Sequence, residues 1–362
     1  MEIKEYKCPN CNGAVTFDSG IQKMKCPYCD AVFEIVGLAE YHKQMAEPVQ
    51  DRIDVDAGKA GSAWNDSDLG DLSTGSCPSC GAELVGDKNT IATVCPCCGN
   101  SQIMQKRIQG LLKPDYVIPF QVDKKAAVEA LKRFYKGKKL LPNVFAGENR
   151  VNSVQGLYVP FWLFDVTASG HVTYKASRVL AWSDSECNYT KTDYYSVVRE
   201  GRIGFQKVPV DGSEKMDDAS MDAIEPFDYS ALKDFQSAYF SGYLAEKYDV
   251  DAETSKKRAV ARIKNSLEFQ FAQSVRGYMS VVTERSAVSV ESGKVSYSLF
   301  PVWVLNTQYR KKNFQFIING QSGLLTGKLP IDKGKVHKYR LLFTLGFGAA
   351  FTALIQLLRI FM

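Results

Sequence analysis

Eight of the ten cysteines in this 362-residue chain occur as four Cys-x-x-Cys pairs, and this spacing constrains the fold more than any other feature. In every pair the first cysteine is followed by proline, and fourteen residues separate the inner cysteines of each group of two pairs. Sulfurs with this spacing suit a tetrahedral metal ion better than disulfides. The pattern therefore predicts two four-cysteine metal sites in a reducing compartment, where thiolates stay available.

The metal sites predict two zinc ribbons, over residues 1–36 and 76–110, each with one structural Zn²⁺ ion. The predicted ligands are Cys8, Cys11, Cys26 and Cys29 in the first site, and Cys77, Cys80, Cys95 and Cys98 in the second. Iron in a rubredoxin-like site is the alternative. Four thiolates close the coordination shell and leave no position for water, so catalysis at the metal is not expected.

The remaining two cysteines are interpreted as non-ligands. Cys97 lies inside the last pair, but Cys95 and Cys98 already reproduce the spacing of the other three pairs. Cys187 stands alone and is predicted to be a packed or half-buried thiol. Because ribbons of this size bury little core, their metal is expected to supply on the order of 10 kcal/mol of folding free energy.

Charge disfavours nucleic-acid binding by the ribbons. Residues 1–113 hold 11 Lys/Arg against 15 Asp/Glu, whereas the rest of the chain holds 34 against 25. Phosphate binding needs clustered Lys and Arg. Residues 37–75 are rich in Gly, Ser, Ala and Asp and predict a flexible acidic linker. Its acidic residues include Asp51, Asp54, Asp56, Asp66, Asp68 and Asp71. The ribbons are therefore interpreted as protein-docking modules.

An α+β domain is predicted over residues 111–330. The apolar run over 116–120 predicts a strand, Asp123 is expected to cap a helix through about Tyr135, and apolar spacing predicts another helix over about 251–276. The segment around Pro160 and Trp162 is similar to the segment around Pro301 and Trp303. This similarity predicts a duplicated β unit, and a chance likeness of two aromatic strands is the alternative.

The sequence contains no recognisable catalytic set. Its histidines, His42, His171 and His337, fall in three different regions, and phosphate-loop, nucleophile-elbow and metalloprotease motifs are absent. Carboxylates could still converge in the fold. The chain is nevertheless predicted not to be an enzyme, to bind no cofactor besides zinc, and to take no small-molecule substrate.

The C-terminus predicts a membrane anchor. Residues 341–358 form an uncharged run of eighteen, and residues 341–362 together are long enough to cross the hydrocarbon layer. The preceding segment, 331–340, carries Lys333, Lys335, Lys338 and Arg340. By the positive-inside rule this flank is cytoplasmic, so a single-pass protein with a cytoplasmic N-terminal body is expected. A buried core helix is the alternative.

With these features together, the chain resembles the bacterial membrane-anchored double zinc-ribbon proteins. The resemblance covers the whole chain and rests on the Cys-Pro-x-Cys pairs, the segment 156–165, and the stretch from Phe300 to Gly323 before a C-terminal span. Asn12 and Asp30 depart from the glycine usual after the second cysteine, which implies a slightly weaker first site. The resemblance implies three partners: a second membrane protein, an SPFH-domain protein and, indirectly, a phage-shock-A-type protein.

These inferences predict a membrane-tethered adaptor or scaffold. It would recruit cytosolic partners to the bacterial inner membrane, and the resemblance places that work in the envelope-stress response. The alternative is a membrane-tethered nucleic-acid-binding protein with replication-like or transcription-like ribbons. Steeply salt-sensitive binding to DNA or RNA would favour that alternative.

Overall fold

A computed structural model describes residues 6–46, 51–58, 60–64, 72–87, 95–100, 104–106, 112–145, 153–310 and 312–361. The α-helices of these residues are α1 (Ile35–Ala46), α2 (Lys124–Tyr135), α3 (Asp218–Ala223), α4 (Ala252–Ser274) and α5 (Lys333–Phe361). The strands are β1 (Thr16–Asp18), β2 (Lys23–Lys25), β3 (Val32–Phe33), β4 (Arg52–Ile53), β5 (Leu72–Ser76), β6 (Glu83–Asp87), β7 (Met104–Lys106), β8 (Tyr116–Val117), β9 (Gln155–Ser183), β10 (Asn188–Asp211), β11 (Lys233–Asp234), β12 (Leu244–Glu246), β13 (Ser280–Tyr309), β14 (Lys312–Asn319) and β15 (Leu325–Gly327).

The chain divides into two compact units, each assembled from separate stretches of sequence. The first unit comprises Met1–Val55, Val166–Phe205 and Val260–Gly293, and the second comprises Asp56–Asp165, Gln206–Ala259 and Lys294–Met362. The sequence instead predicts consecutive domains. The difference arises because the long strands β9, β10 and β13 and the helix α4 each contribute residues to both units.

The first unit contains a small antiparallel sheet, β1-β2-β3, beside helix α1. One hydrophobic cluster there is formed by the buried residues Cys8, Val15, Cys26 and Leu38. Leu38 belongs to α1 and is 2% exposed, so the helix closes this cluster rather than leading away from it. A cluster of four buried residues is small, and two of its members are predicted metal ligands, so a metal ion at this site would matter for its stability.

The predicted flexible linker over 37–75 differs from the structure in its described part. Most of α1 lies within this range, and β4 pairs in parallel with residues Ser289 and Val290 of β13. Asp51 forms a 2.8 Å ion pair with Lys264 and accepts a 3.0 Å hydrogen bond from the Val288 N–H. Asp51, one of the acidic residues that suggested a flexible tether, is therefore bonded to partners more than 200 residues away in sequence. Asp66, Asp68 and Asp71 lie outside the described residues.

The second unit is built on a mixed sheet with the strand order β11-β8-β13-β9-β12-β6-β5-β7, in which β14 and β15 extend from β13. Side chains along β13 alternate between two cores. Phe300, Val302 and Val304 join one hydrophobic cluster, and Trp303 and Leu305 join the other, which includes the apolar side of α2. The body is therefore α+β, as predicted.

The two predicted helices of the body are confirmed. Helix α2 begins after Asp123, whose side chain accepts a 2.7 Å hydrogen bond from the Ala126 N–H, and it ends at Tyr135. Helix α4 buries Ile263 and Leu267 to 1% and 0% exposure. The predicted strand over 116–120 is shorter, since β8 covers only Tyr116–Val117.

The contacts around Pro160 and Trp162 define one half of the predicted repeat. The Pro160 carbonyl accepts a 2.8 Å hydrogen bond from the Gly212 N–H, and the Gly212 carbonyl accepts one from the Val250 N–H at 3.2 Å. The Trp162 indole donates to the Val250 carbonyl at 2.9 Å. This network joins β9 to the end of β10 and to the segment that precedes α4.

The same network recurs around Pro301 and Trp303. The Pro301 carbonyl accepts from the Gly320 N–H at 2.8 Å, and the Gly320 carbonyl accepts from the Val122 N–H at 2.8 Å. The Trp303 indole donates to the Val122 carbonyl at 2.8 Å. Here the network joins β13 to the end of β14 and to the segment that precedes α2.

Both networks lead into a capped helix. Asp251 follows Val250 and caps α4, whereas Asp123 follows Val122 and caps α2, and each accepts a 2.7 Å hydrogen bond from the N–H three residues further on. The aromatic residue two positions before each valine lies 5.1 Å, centroid to centroid, from the corresponding tryptophan ring. This agreement favours duplication over a chance likeness of two strands.

Candidate metal centres

The four predicted ligands of the first site come together in the first unit. The Sγ atoms of Cys8, Cys11, Cys26 and Cys29 all lie within 4.8 Å of one another. The Cys8 and Cys29 sulfurs are 3.6 Å apart, and the Cys11 and Cys26 sulfurs are 3.5 Å apart. A tetrahedral ion with metal–sulfur distances near 2.3 Å separates its ligands by about 3.8 Å. The spacing therefore suits a single four-coordinate ion.

The second tetrad has the same arrangement within the second unit. The Sγ atoms of Cys77, Cys80, Cys95 and Cys98 lie within 4.8 Å of one another. The sulfurs of Cys77 and Cys98 are 3.7 Å apart, and those of Cys80 and Cys95 are 3.8 Å apart. Cys77 and Cys95 are buried, and they belong to the main hydrophobic cluster of the unit. This site is therefore continuous with a large core, unlike the first.

One local turn presents the sulfurs in all four pairs. In each turn, the N–H four residues after the first cysteine donates to that cysteine's carbonyl at 2.8–3.0 Å. The donors all have positive φ angles and are Asn12 (61°), Asp30 (56°), Gly81 (75°) and Gly99 (78°). Glycine adopts this conformation freely, and Asn and Asp tolerate it better than other residues. The first tetrad thus keeps the same turn without glycine.

Hydrogen bonds within the turns favour the thiolate form at one cysteine of each tetrad. Desolvation acts to raise the pKa of Cys26, but the N–H groups of Tyr28 and Cys29 and the neighbouring thiols outweigh it and lower this pKa to about 7. A hydrogen bond from the Cys97 thiol lowers the pKa of Cys95 to about 5. The thiolate is the form of cysteine that binds metal ions, so one sulfur of each tetrad favours the ligating form.

Cys97 lies within the second site but outside its tetrad. Its side chain is 8% exposed, and its carbonyl accepts a 3.2 Å hydrogen bond from the Gln315 side chain. The hydrogen bond to Cys95, followed by burial, raises the pKa of the Cys97 thiol. A thiol that stays protonated can donate a hydrogen bond to a ligand sulfur and so stabilise the site without binding the metal. This geometry supports its interpretation as a non-ligand.

Cys187 differs from its prediction as a packed thiol. It lies in the short connection between β9 and β10 and is exposed. Its N–H donates to the Asp184 side chain at 2.7 Å, as does the N–H of Glu186 at 2.9 Å. The prediction is wrong because the residue sits in a turn at the end of a hairpin, where side chains face solvent.

A buried glutamate, Glu246, adjoins the second site at the end of β12, next to β6. Its carboxyl accepts a 2.9 Å hydrogen bond from the Ser213 hydroxyl, and its Oε2 has no partner among the described residues. Desolvation raises the pKa of Glu246 to about 8, although the hydrogen bond from Ser213 acts against this shift. Glu246 is therefore protonated at neutral pH.

This burial predicts a pH-dependent effect of Glu246→Gln. A carboxyl whose folded-state pKa is raised contributes stability at low pH that is lost as pH rises to that pKa, because the unfolded state then binds fewer protons. From about pH 5.5 to about pH 7, wild type should lose about 1.4 kcal/mol per pH unit relative to the variant, and the loss should level off above about pH 8. Denaturant unfolding of both proteins across this range tests it. Parallel pH profiles would contradict it, and Glu214→Gln, at an exposed nearby position, is the matched control.

A cleft of about 500 Å³ lies beside the first tetrad, within the first unit. Its walls come from the first cysteine turn, α1, and strands β9, β10 and β13, with Asn10, Tyr41, Tyr194, Tyr195 and Glu284 among the lining residues. This volume falls in the usual range for ligand-binding clefts. Apart from Asn10, these residues belong to no sequence motif, and contacts between segments far apart in sequence bring them together.

Two buried hydrogen-bond acceptors distinguish the cleft. The Lys175 ammonium donates to the Pro9 carbonyl at 2.8 Å and so holds the cysteine turn against β9. Tyr41 donates to Glu284 at 3.3 Å. In the described part of the chain, Asn10 Oδ1 and Glu284 Oε2 are buried without a hydrogen-bond partner. The cleft therefore offers acceptors to a ligand that brings donors.

Helix α5 is long and apolar enough to cross a membrane, and its apolar stretch is not buried against the protein. Its exposed large apolar side chains include Leu341, Leu342, Phe343, Leu345, Phe347, Phe351, Leu354 and Ile355. A core helix would bury these side chains, so the alternative of a buried helix is not the observed arrangement. The helix could instead serve as a single-pass anchor.

The three histidines lie in separate places. The His42 ring in α1 is hydrogen-bonded to the Lys7 carbonyl at 2.8 Å, and His171 in β9 lies 3.6 Å from the Glu200 carboxylate. His337 lies in α5, near the start of the apolar run. Within the described residues, neither tetrad includes a histidine.

Comparison with known proteins identifies a relative over nearly the full chain. The sequence is 34% identical over 334 residues to the uncharacterized protein YdjG of Bacillus subtilis (strain 168), and the match covers 92% of each chain. No family model matches the sequence. No solved structure matches it either.

Proposed function

This chain belongs to the family of Bacillus subtilis YdjG, and on that premise we propose that it is a membrane-tethered zinc adaptor that recruits cytosolic proteins to the bacterial inner membrane. The observation that carries the proposal is the exposed apolar helix α5 at the end of a body with two closed cysteine tetrads. A closed thiolate shell leaves no open position for chemistry, and it makes a rigid platform from a short chain.

Zinc is the proposed ion in both tetrads. Four thiolates with sulfur–sulfur separations of 3.5–3.8 Å suit Zn²⁺, which has no redox chemistry and accepts tetrahedral geometry without preference. The ion would hold the two cysteine turns of each site together. At the first site it would also fix the turn that forms one wall of the cleft.

Helix α5 is proposed to be a single-pass anchor with the body on the cytoplasmic side. Its first turns carry Lys333, Lys335, Lys338 and Arg340, and this excess of cations favours retention of the flank in the cytoplasm. The free thiolates that the tetrads need also favour a reducing compartment. A tether at the membrane raises the effective concentration of a weakly bound partner there, so modest affinity suffices.

We assign partner docking to the cleft beside the first tetrad. Asn10 Oδ1 and Glu284 Oε2, which have no hydrogen-bond partner among the described residues, suit a peptide segment with a cationic or amide side chain. Tyr194 and Tyr195 are 50% and 37% exposed at the rim and supply aromatic contact area. The family resemblance suggests an SPFH-domain protein as this partner and a second membrane protein beside α5, within the envelope-stress response.

The experiment compares two pairs of exposed aromatic residues in the full-length protein. The cleft variant is Tyr194→Ala with Tyr195→Ala. The matched control is Trp182→Ala with Tyr189→Ala, a stacked pair of similar exposure near the β9–β10 turn. Affinity purification from detergent-solubilised membranes, with quantitative mass spectrometry, should recover the SPFH-domain protein at least about tenfold less with the cleft variant, equivalent to about 1.4 kcal/mol. The control should match wild type.

Fluorescence of the partner in cells separates two ways to fail. If the partner remains at the membrane when the whole protein is absent, the adaptor role is wrong. If it leaves only on complete loss and the cleft variant retains it, docking occurs elsewhere on the chain. Point substitutions are preferable to removal of residues 1–113, because that deletion would also remove β5, β6 and β7 from the sheet of the second unit.

A further inference from the structure

The end of α2 and the loop after it form a strongly basic surface. Residues 132–144, here called the basic segment, contain five Lys and Arg residues and no acidic residue. All five are exposed, and they are Lys132, Arg133, Lys136, Lys138 and Lys139. Two apolar side chains of the same segment, Leu140 and Val144, are 37% and 42% exposed. Cations interspersed with exposed apolar groups are typical of surfaces that meet a membrane interface.

The basic segment is bonded to the first turn of α5. The Leu140 carbonyl accepts a 2.9 Å hydrogen bond from the Asp332 N–H. The Lys335 ammonium donates to the Leu141 carbonyl at 2.5 Å and to Asn143 Oδ1 at 2.6 Å. Three hydrogen bonds thus fix the position of the basic segment along the axis of α5.

This position is at the level of the lipid headgroups when α5 spans a bilayer. Lys335 precedes Leu341, the first residue of the uncharged run, by six residues within one continuous helix. At about 1.5 Å per residue this separation is about 9 Å. The headgroup layer on each side of the hydrocarbon is about 5–8 Å thick. The segment therefore lies at or just above the headgroups, within about one Debye length of their charge.

We propose that the basic segment binds anionic lipid headgroups of the cytoplasmic leaflet, with Leu140 and Val144 entering the interface. Ile331, 62% exposed beside the first turn of α5, extends the same apolar contact. The surface would hold the second unit against the bilayer and so limit the directions in which it can turn. The inference rests on the proposed anchoring by α5 and is independent of the adaptor role and of the cleft.

The test uses the full-length protein in lipid nanodiscs. One preparation contains phosphatidylcholine only, and the other contains phosphatidylcholine with anionic phosphatidylglycerol. A water-soluble acylating reagent modifies exposed lysines, and peptide mass spectrometry gives the rate at each one. Lys132, Lys136, Lys138 and Lys139 should react several-fold more slowly in the anionic discs. Lys124 and Lys125, exposed at the opposite end of α2, should react equally in both.

A charge-reversal variant makes the test specific. With Lys136→Glu, Lys138→Glu and Lys139→Glu, the dependence of the Lys132 rate on anionic lipid should disappear, whereas Lys124→Glu with Lys125→Glu should leave it unchanged. Equal wild-type rates in both discs would overturn the proposal. This holds even if the bilayer slows the reaction in both discs, since the shielding of the segment would then not depend on lipid charge. Failure of the chain to enter discs would overturn both the proposed lipid binding by the basic segment and the proposed anchoring by α5. It would not overturn partner binding at the cleft.

Discussion

Cys77→Ser should release one of the two proposed zinc ions and strongly destabilise the second unit. The serine oxygen is a poor replacement for a thiolate, and structural zinc sites contribute on the order of 10 kcal/mol. Cys77 is 1% exposed and packs within the main hydrophobic cluster of the unit, so the loss would extend into the core. Elemental analysis of the purified protein, together with denaturant unfolding, measures both effects.

Cys97→Ser is the matched control for this prediction. It changes a buried cysteine of the same turn, outside the tetrad, and serine can still donate a hydrogen bond to the Cys95 sulfur. Two zinc ions should therefore remain. Loss of an ion from this variant would show that Cys97 is a ligand. Iron in place of zinc, or less than one zinc per wild-type chain, would refute the proposed metal.

The corresponding change at the first site should have a more local effect. Cys8→Ser removes a proposed ligand that is itself one of the four buried residues of the small hydrophobic cluster in the first unit. The cleft shares the first cysteine turn, through Pro9 and Asn10. Partner recovery should therefore fall with Cys8→Ser, whereas the Cys77→Ser defect should appear mainly in the unfolding of the second unit.

Truncation after Arg340 should release the protein from membranes almost completely. It removes the uncharged run but leaves the first turn of α5, with its bonds to the basic segment, in place. The apolar stretch is not buried against the protein, so truncation exposes no core and the body should stay folded. Membrane fractionation should find the full-length protein in the pellet and the truncated chain in the supernatant.

The fractionation is best carried out after a wash at high ionic strength. Such a wash screens attraction between the basic segment and anionic lipids, so any remaining association reports insertion alone. A truncated chain that still sediments after the wash would mean that another anchor or a partner holds it. In intact cells, residues before 340 of the full-length chain should be accessible to labelling only from the cytosol.

Most of what the sequence by itself determined about this protein is local. The cysteine turns were predictable because each is closed by hydrogen bonds within six residues, as between the Cys8 N–H and the Gly13 carbonyl. Helix α2 was predictable because its cap and its apolar periodicity lie in one stretch. The C-terminal helix was predictable because length and lack of charge suffice to identify a candidate span.

Only the tertiary structure decided the features that join distant parts of the chain. The Trp303 indole meets the Val122 carbonyl across 181 residues, and Asp51 meets Lys264 across 213. The cleft and the attachment of the basic segment to Lys335 depend on contacts of the same kind. Local propensity carries no information on them, because strand register determines which side chains meet, and that register is set by pairing between segments far apart in sequence.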